Sequence, residues 1–404
     1  MLCLIFLEKQ TMDSRSGRWN FRSLALWAAL VCLLLPVTLH AQTPAAEIYA
    51  KDMREEIVRI NVTVKDMFNR QETRPMPITI YRPAGDGPFP LVVFNHGRAT
   101  QSRRAAQARY RPEHAARYLV TKGFVVLVPV RIGYWETYGD FDPEQSGSCS
   151  NISVEPMSIA ASDQVLAAVE YAKSLTYVDA SRWIVAGQSV GGLTAIATVG
   201  RNPAGLLGGI NFAGGTGGNP DANPGRPCSP GQLSRYWGRL AKGSTVPMLW
   251  LYWQNDKYWG PDIPREWHKA WVYGGGKADF KSFPAAGTDG HRGLNIDMNT
   301  WLPVVDEFLE RLGFTKSAIV TRPAVSGFAD IADSGKLPSA AQGKAGYARF
   351  LEIKLHRAFA LSARGAWGYA SGDYAMGRAL GNCQRSGQTC RLYAVDSDVV
   401  WRPD

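Results

Sequence analysis

The segment Gly187-Gln188-Ser189-Val190-Gly191-Gly192 has the residue types and spacing for nucleophilic chemistry. An apolar run precedes it and an apolar helical stretch follows it. The pattern G-x-S-x-G in that setting predicts a tight strand–turn–helix elbow, with glycines where neighbouring backbone must come close. Ser189 would stand at the top of a sheet, with a helix N-terminus behind it that favours developing negative charge. A serine hydroxyl is a weak nucleophile at neutral pH, so it needs a base, and the base needs an orienting acid.

On such an elbow the acid and then the histidine follow the serine in chain order. His291 lies in Gly287-Thr-Asp-Gly-His291-Arg-Gly293, a loop between the last strand and the last helix. His114 and His268 fall in helical stretches, His356 in the C-terminal tail and His96 in another motif. For the acid, Trp250-Leu-Tyr-Trp-Gln-Asn-Asp256 runs from a strand into a loop, which makes Asp256 the first carboxylate past the strand end. Asp262 is the second choice, and Asp289 is too near His291 in sequence to reach round its ring.

Acyl transfer also needs two backbone donors for the oxyanion. Val190, directly after the nucleophile, supplies one. Asn95-His96-Gly97-Arg98 follows an earlier strand, and the Arg98 N–H is expected to supply the other. Arg131-Ile-Gly-Tyr134-Trp135 leaves a strand on the same edge. Tyr134 and Trp135, with Tyr138, Trp253, Tyr258 and Trp259, are the candidates for an aromatic substrate site. Gly214-Gly-Thr-Gly-Gly218 lacks the Lys-Ser/Thr ending of a phosphate-binding loop and reads as a flexible loop.

These groups must be held by a common frame. Ile57 to Val64 and Pro77 to Tyr81 alternate apolar and polar across a turn at 69–73, which predicts an antiparallel hairpin. The runs Pro90–Asn95 and Phe124–Val128 are continuously apolar, as strands covered on both faces are. A helix is expected over Ala105–Lys122 between them and another over Met157–Ser174. Then follow strand Trp183–Ala186, helix Gly191–Val199, strands Gly208–Phe212 and Pro247–Trp253, helix Pro264–Tyr273, strand Ala278–Phe283 and helix Thr300–Leu312. The alternation predicts an α/β doubly wound, mostly parallel sheet with one or two antiparallel edge strands. Residues 315–345 read as a linker. Residues 346–404 read as a small α+β module, with a hairpin (Arg357–Ser362, Ala366–Ala370), a helix (Asp373–Cys383) and a further strand or hairpin (Arg391–Trp401).

The Phe-Asn-His-Gly strand end, Gly-Gln-Ser-Val-Gly-Gly, Gln-Asn-Asp and Asp-Gly-His, in that order, resemble the α/β-hydrolase superfamily, most closely its dienelactone-hydrolase-like branch. The resemblance spans residues 56–313. It implies an eight-stranded sheet, a catalytic domain over 42–314, and neither metal nor organic cofactor. Dienelactone hydrolases carry a cysteine nucleophile where this chain has Ser189, so the resemblance points to serine esterase chemistry on a small-molecule ester. A peptidase with the same triad is the alternative. A catalytically silent hydrolase-fold binding protein is another.

The rest of the chain bounds the setting. It has 404 residues, 45% hydrophobic and 20% charged, which is globular composition. Arg15, Arg18 and Arg22 precede an apolar run, Leu24 to Leu39, that ends near Ala41. This reads as a signal peptide over residues 1–41, hence a periplasmic or secreted protein with no stable membrane insertion after cleavage. The formal charge of +10 drops to about +8 beyond residue 41. Its basic residues are scattered without interleaved aromatics, which argues against nucleic acid as a partner. Cys149, Cys228, Cys383 and Cys390 remain, an even number without metal-ligand spacing, so disulfides are expected. The loops of Cys149 and Cys228 leave the same sheet edge, and that bridge would add about 4.5 kcal/mol in the chain-entropy model. Cys383 and Cys390 flank one turn of the tail module, and their bridge is worth about 2.5 kcal/mol.

Overall fold

A computed structural model describes residues 48–314, 322–338, 341–372, 375–384, 386 and 388–403. The segment read as a signal peptide lies outside the described residues. Eight strands form the main sheet: β1 (Glu56–Lys65), β2 (Gln71–Tyr81), β3 (Phe89–Asn95), β4 (Val125–Pro129), β5 (Val178–Gln188), β6 (Leu206–Phe212), β7 (Met248–Trp253) and β8 (Ala278–Phe283). Their order is β1-β2-β4-β3-β5-β6-β7-β8. From β4 across to β8 neighbouring strands are parallel, while β1–β2 and β2–β4 are antiparallel. This is the strand order of the α/β-hydrolase fold.

The hairpin is longer than its alternation suggests, with Glu56 opposite Ile80 and Lys65 opposite Gln71. Regular pairing with β4 begins at Ile78, so Pro75 lies where one side of the strand has no partner strand, and Pro77 sits at the margin, where its carbonyl accepts the Val130 amide at 2.8 Å and no amide of its own is called for. Asp66 closes the turn by accepting the amides of Phe68 and Arg70, each at 2.9 Å.

The central strands send alternate side chains to two different cores, as the two-residue pleat requires. Leu91 and Val93 of β3 join the core beneath α2 (Val154–Ala172), α3 (Val190–Val199), α4 (Pro230–Leu240) and α5 (Ile263–Tyr273). Val92 and Phe94 join the core beneath α1 (Glu113–Thr121) and α6 (Met298–Arg311). Helices therefore cover both faces.

The helix expected over Ala105–Lys122 is not continuous. A 3-10 turn occupies Gln101–Ala106, and α1 starts only after Pro112. Pro112 has no amide to donate and disfavours helical backbone at Arg111. The released stretch turns Arg109 and Arg111 onto the buried carboxylate of Glu55, at 2.8 and 3.1 Å. Helix α4 lies in a region where the sequence reading placed no element; Pro230 sits at its start, and Leu233, Tyr236 and Trp237 form its buried stripe.

The C-terminal module is a four-stranded antiparallel sheet, β10-β9-β11-β12, built from β9 (Arg357–Ser362), β10 (Trp367–Ser371), β11 (Cys390–Val395) and β12 (Asp398–Val399). Helix α8 (Ala375–Gln384) packs on one face. The other face is covered by α7 (Ala341–Glu352) together with Phe328, Ile331 and Leu337. The module thus begins before residue 346, because part of the segment read as linker supplies its second core. Cys149 is bonded to Cys228 and Cys383 to Cys390, with Cα atoms 4.9 and 6.2 Å apart. No helix among the described residues is long and apolar enough to cross a membrane.

Candidate active site

Ser189 sits between the last residue of β5 and the first of α3, with φ 57° and ψ −124°. A non-glycine residue held there is strained, and the neighbouring glycines show what holds it. A Cβ at Gly187 would lie 2.2 Å from Gly191 O, and one at Gly191 would lie 2.1 Å from Asn95 O. The turn closes only with hydrogen at both positions. Ser189 N donates to Phe212 O at 3.0 Å, which locks the elbow to the end of β6.

Asp256 follows β7 and His291 follows β8, so both reach the C-terminal edge of the same parallel strands that carries Ser189. His291 Nδ1 lies 3.0 Å from Asp256 Oδ2. A carboxylate only accepts, so Nδ1 carries a proton, and in the neutral ring the free lone pair is on Nε2. Asp256 is 2% exposed, and its other oxygen accepts the amides of Tyr258 (2.7 Å) and Trp259 (3.2 Å). The carboxylate is thus fixed in orientation before it meets the ring. His291 is positioned from three further directions. Its N–H donates to Asp289 Oδ1 at 3.0 Å, its carbonyl accepts Gln188 Nε2 at 2.7 Å, and the Tyr258 ring stacks on it with centroids 3.9 Å apart. Among the described residues the Ser189 hydroxyl makes no hydrogen bond to the imidazole; such contacts commonly tighten only with substrate present.

The competing carboxylates fall elsewhere. Asp262 precedes α5, and among the described residues the carboxylate bonded to the ring is that of Asp256. Asp289 stitches two loops together by accepting the amides of Lys257 and His291, each at 3.0 Å.

The loop after β3 presses against the nucleophile: a Cβ at Gly97 would be 3.2 Å from Ser189 Cβ. Val190 is the first residue of α3, where the amide has no partner within the helix. His96 lies beneath the loop and is fully buried. Its Nδ1 faces Gly97 O at 2.7 Å, and its Nε2 faces the Arg131 N–H at 3.1 Å. A carbonyl needs a donor and an N–H needs an acceptor, so the ring is the neutral Nδ1–H tautomer. Burial and the Arg131 charge agree with this, holding His96 well below the usual imidazole range. Burial opposes the charge on Arg98, but Tyr134, Asp142 and Glu144 outweigh it and raise its pKa.

Three of the aromatic assignments need correction. Tyr134 is fully buried, gives its hydroxyl to Glu144 Oε2 at 2.7 Å and stands edge-on to His96 at 4.6 Å. Trp259 is 1% exposed, donates Nε1 to Ala213 O at 2.7 Å and backs the edge of His291. Trp253 is likewise 1% exposed and donates Nε1 to Asp297 Oδ2 at 2.7 Å. All three are part of the packed frame and do not line a substrate surface. Trp135 is half-buried with φ 46°, and Tyr138 is exposed. Gly214–Gly218 is not a free loop: Gly215 N donates to Ser189 O at 3.2 Å, and a Cβ at Gly218 would meet Tyr258 Cβ at 2.9 Å. The sequence reading passed over Asp142, Glu144 and Arg104. Their only signal is charge in the two segments that follow the buried strands β3 and β4. No group of three His, Cys, Asp or Glu side chains among the described residues could hold a metal.

Residues 157–207 match the model of the prolyl oligopeptidase family. Among curated protein sequences, none matches this chain. Solved structures similar to it include the protein named as a dienelactone hydrolase in Klebsiella pneumoniae (TM-score 0.40, 16% identity, covering 64% of this chain and 98% of that one). An esterase of Pyrococcus furiosus gives TM-score 0.43 and 15% identity, covering 66% and 96%. Dipeptidyl peptidase 4 of Porphyromonas gingivalis gives TM-score 0.42 and 17% identity; 62% of this chain is covered but only 35% of that one.

Proposed function

We propose that this chain is an exported serine hydrolase of carboxylic esters. The observation that carries the reading is the buried Asp256–His291 pair on the same sheet edge as a serine strained into a strand-to-helix elbow. Ser189 Oγ attacks the ester carbonyl while His291 Nε2 takes its proton. Negative charge on the tetrahedral oxygen is met by the amides of Val190 and the His96–Arg98 loop. The imidazolium, steadied by Asp256, gives its proton to the leaving alcohol, and an acyl-Ser189 remains. Water repeats the sequence: His291 takes its proton, the acid leaves, and Ser189 recovers its hydrogen. The substrate is a small-molecule ester, and Trp135 is the candidate to touch it. Export to the periplasm or medium is supported by the basic-apolar pattern before Ala41 and by the two disulfides.

Hydrolysis of aminoacyl amides is the second reading, favoured by the match of residues 157–207 to the prolyl oligopeptidase family. Purified protein tested on graded p-nitrophenyl esters and aminoacyl p-nitroanilides decides between them. Ester turnover with fluorophosphonate labelling at Ser189, both lost in Ser189→Ala, is the expected result. Retention of half the activity by Ser189→Ala overturns the mechanism. Faster turnover of the anilides overturns the ester assignment.

A further inference from the structure

Beneath the loop that faces Ser189 lies a buried charge network larger than the fold needs. Arg131 and Glu144 are both fully buried and pair at 2.5 Å (Nε to Oε1) and 3.3 Å (Nη2 to Oε2). Arg131 grips His96 twice: its backbone N–H meets His96 Nε2 at 3.1 Å, and Nη2 meets His96 O at 3.0 Å. Glu144 also accepts the Tyr134 hydroxyl, and its own carbonyl accepts Arg98 Nη1 at 2.8 Å. Two residues earlier Asp142 takes Arg98 Nη2 and Arg104 Nη1, each at 2.7 Å. The segment from Asp142 to Glu144 therefore holds the His96–Arg98 turn from both ends.

Stability alone does not account for this arrangement. Arg131 Nη1 is buried without a hydrogen-bond partner among the described residues. A buried ion pair is often no more stable than a well-packed apolar pair of the same volume, whereas it fixes the geometry of its contacts. What this pair fixes is a backbone turn lying against the Ser189 side chain.

We infer that Glu144 is a positioning residue for transition-state stabilisation: it holds Arg131, Arg131 holds His96, and His96 sets the loop amides at the oxyanion. The inference rests on the reading of Ser189 as the nucleophile. An amide aimed at the oxyanion contributes in the transition state and little in the ground state, so its displacement lowers kcat and leaves KM in place.

The experiment compares full-length wild type with Glu144→Gln, Glu144→Gln/Arg131→Met and Tyr134→Phe. It measures p-nitrophenyl ester kinetics, inhibition by a phenylboronic acid and thermal unfolding. Glu144→Gln is expected to lower kcat roughly 10- to 100-fold with KM within about two-fold. The boronate, which forms a tetrahedral adduct on the serine, should weaken in step with kcat. The double variant should regain thermal stability, because no unpaired charge stays buried, yet keep the low kcat. Recovery of kcat together with stability, or a wild-type kcat in Glu144→Gln, overturns the inference. Should Glu144→Gln not fold, Tyr134→Phe decides: a several-fold fall in kcat at constant KM supports positioning, while an unchanged kcat or a change in KM alone overturns it. Absence of fluorophosphonate labelling in wild type overturns the Ser189 reading, and the inference with it.

Discussion

Gln188 donates its side-chain amide to the carbonyl of His291 at 2.7 Å, and Gln188 immediately precedes Ser189. One hydrogen bond thus ties the strand that carries the candidate nucleophile to the loop that carries the candidate base. The two segments are 103 residues apart in sequence, and nothing in the elbow pattern itself requires a glutamine at that position.

Gln188→Ala should leave the fold intact and let the His291 loop drift from the serine. A fall in kcat of roughly ten-fold is expected, since small misplacements of catalytic groups are costly. Steady-state kinetics on a p-nitrophenyl ester, alongside a thermal melt, checks it. An unchanged kcat shows that the Asp256, Asp289 and Tyr258 contacts position His291 without help.

Asp256→Asn should cut turnover by roughly 10³- to 10⁴-fold, because an amide facing Nδ1 favours the wrong imidazole tautomer. Asp262→Asn, at the start of α5 and without the bond to the ring that Asp256 makes, should change turnover less than about two-fold. Asp289→Asn should fall between them, because it loosens two loop amides without touching the imidazole. A reversed ranking of Asp256 and Asp262 refutes the assignment of the acid.

The parts legible in the sequence were those whose chemistry is local. A serine flanked by glycines between an apolar strand and an apolar helix has few alternatives. A carboxylate three residues past the end of β7 and a histidine in the loop after β8 follow once the strands are counted. Asp142 and Glu144 were not legible, because their partners Arg98 and Arg131 lie 44 and 13 residues away and charged loop residues ordinarily face water. Tyr134 and Trp259 were misplaced for a related reason: an aromatic near a strand end carries no mark of whether it faces the cleft or the core. Pro112 is the readable cue that the helix expected over Ala105–Lys122 must break.

His96 makes stability depend on pH in a predictable sense. Its pKa in the folded chain lies well below the ordinary value of about 6.5. Below that ordinary value the unfolded chain takes up a proton that the folded chain refuses, so stability falls as pH falls. The loss approaches about 1.4 kcal/mol per pH unit until the folded pKa is reached. Urea titrations at pH 7.5, 6 and 5 on wild type and His96→Gln measure it. The variant should be less stable at pH 7.5 but lose less between pH 6 and 5. Parallel curves would show that other groups govern the acid limb.

The Cys149–Cys228 bridge should matter for catalysis as well as stability, whereas Cys383–Cys390 should matter for its module alone. Cys228 N donates to Gly217 O at 2.9 Å, and a Cβ at Gly217 would meet Cys228 Cβ at 2.9 Å, so the cystine lies directly on the glycine loop. That loop bonds Ser189 O through Gly215 and seats Tyr258 on Gly218. Tyr258 in turn stacks on His291. Replacing both Cys149 and Cys228 by Ser frees a long loop in the unfolded chain, which costs up to about 4.5 kcal/mol, and releases the support under Tyr258. Thermal unfolding should shift down and kcat should drop several-fold under conditions where the variant is still folded. Replacing Cys383 and Cys390 by Ser opens a loop of only seven residues' separation, in the C-terminal module. It should lower the stability of the C-terminal module and leave kcat within about two-fold of wild type. Equal effects of the two pairs on kcat, measured on folded protein, refute the path from Cys228 through the glycine loop to His291.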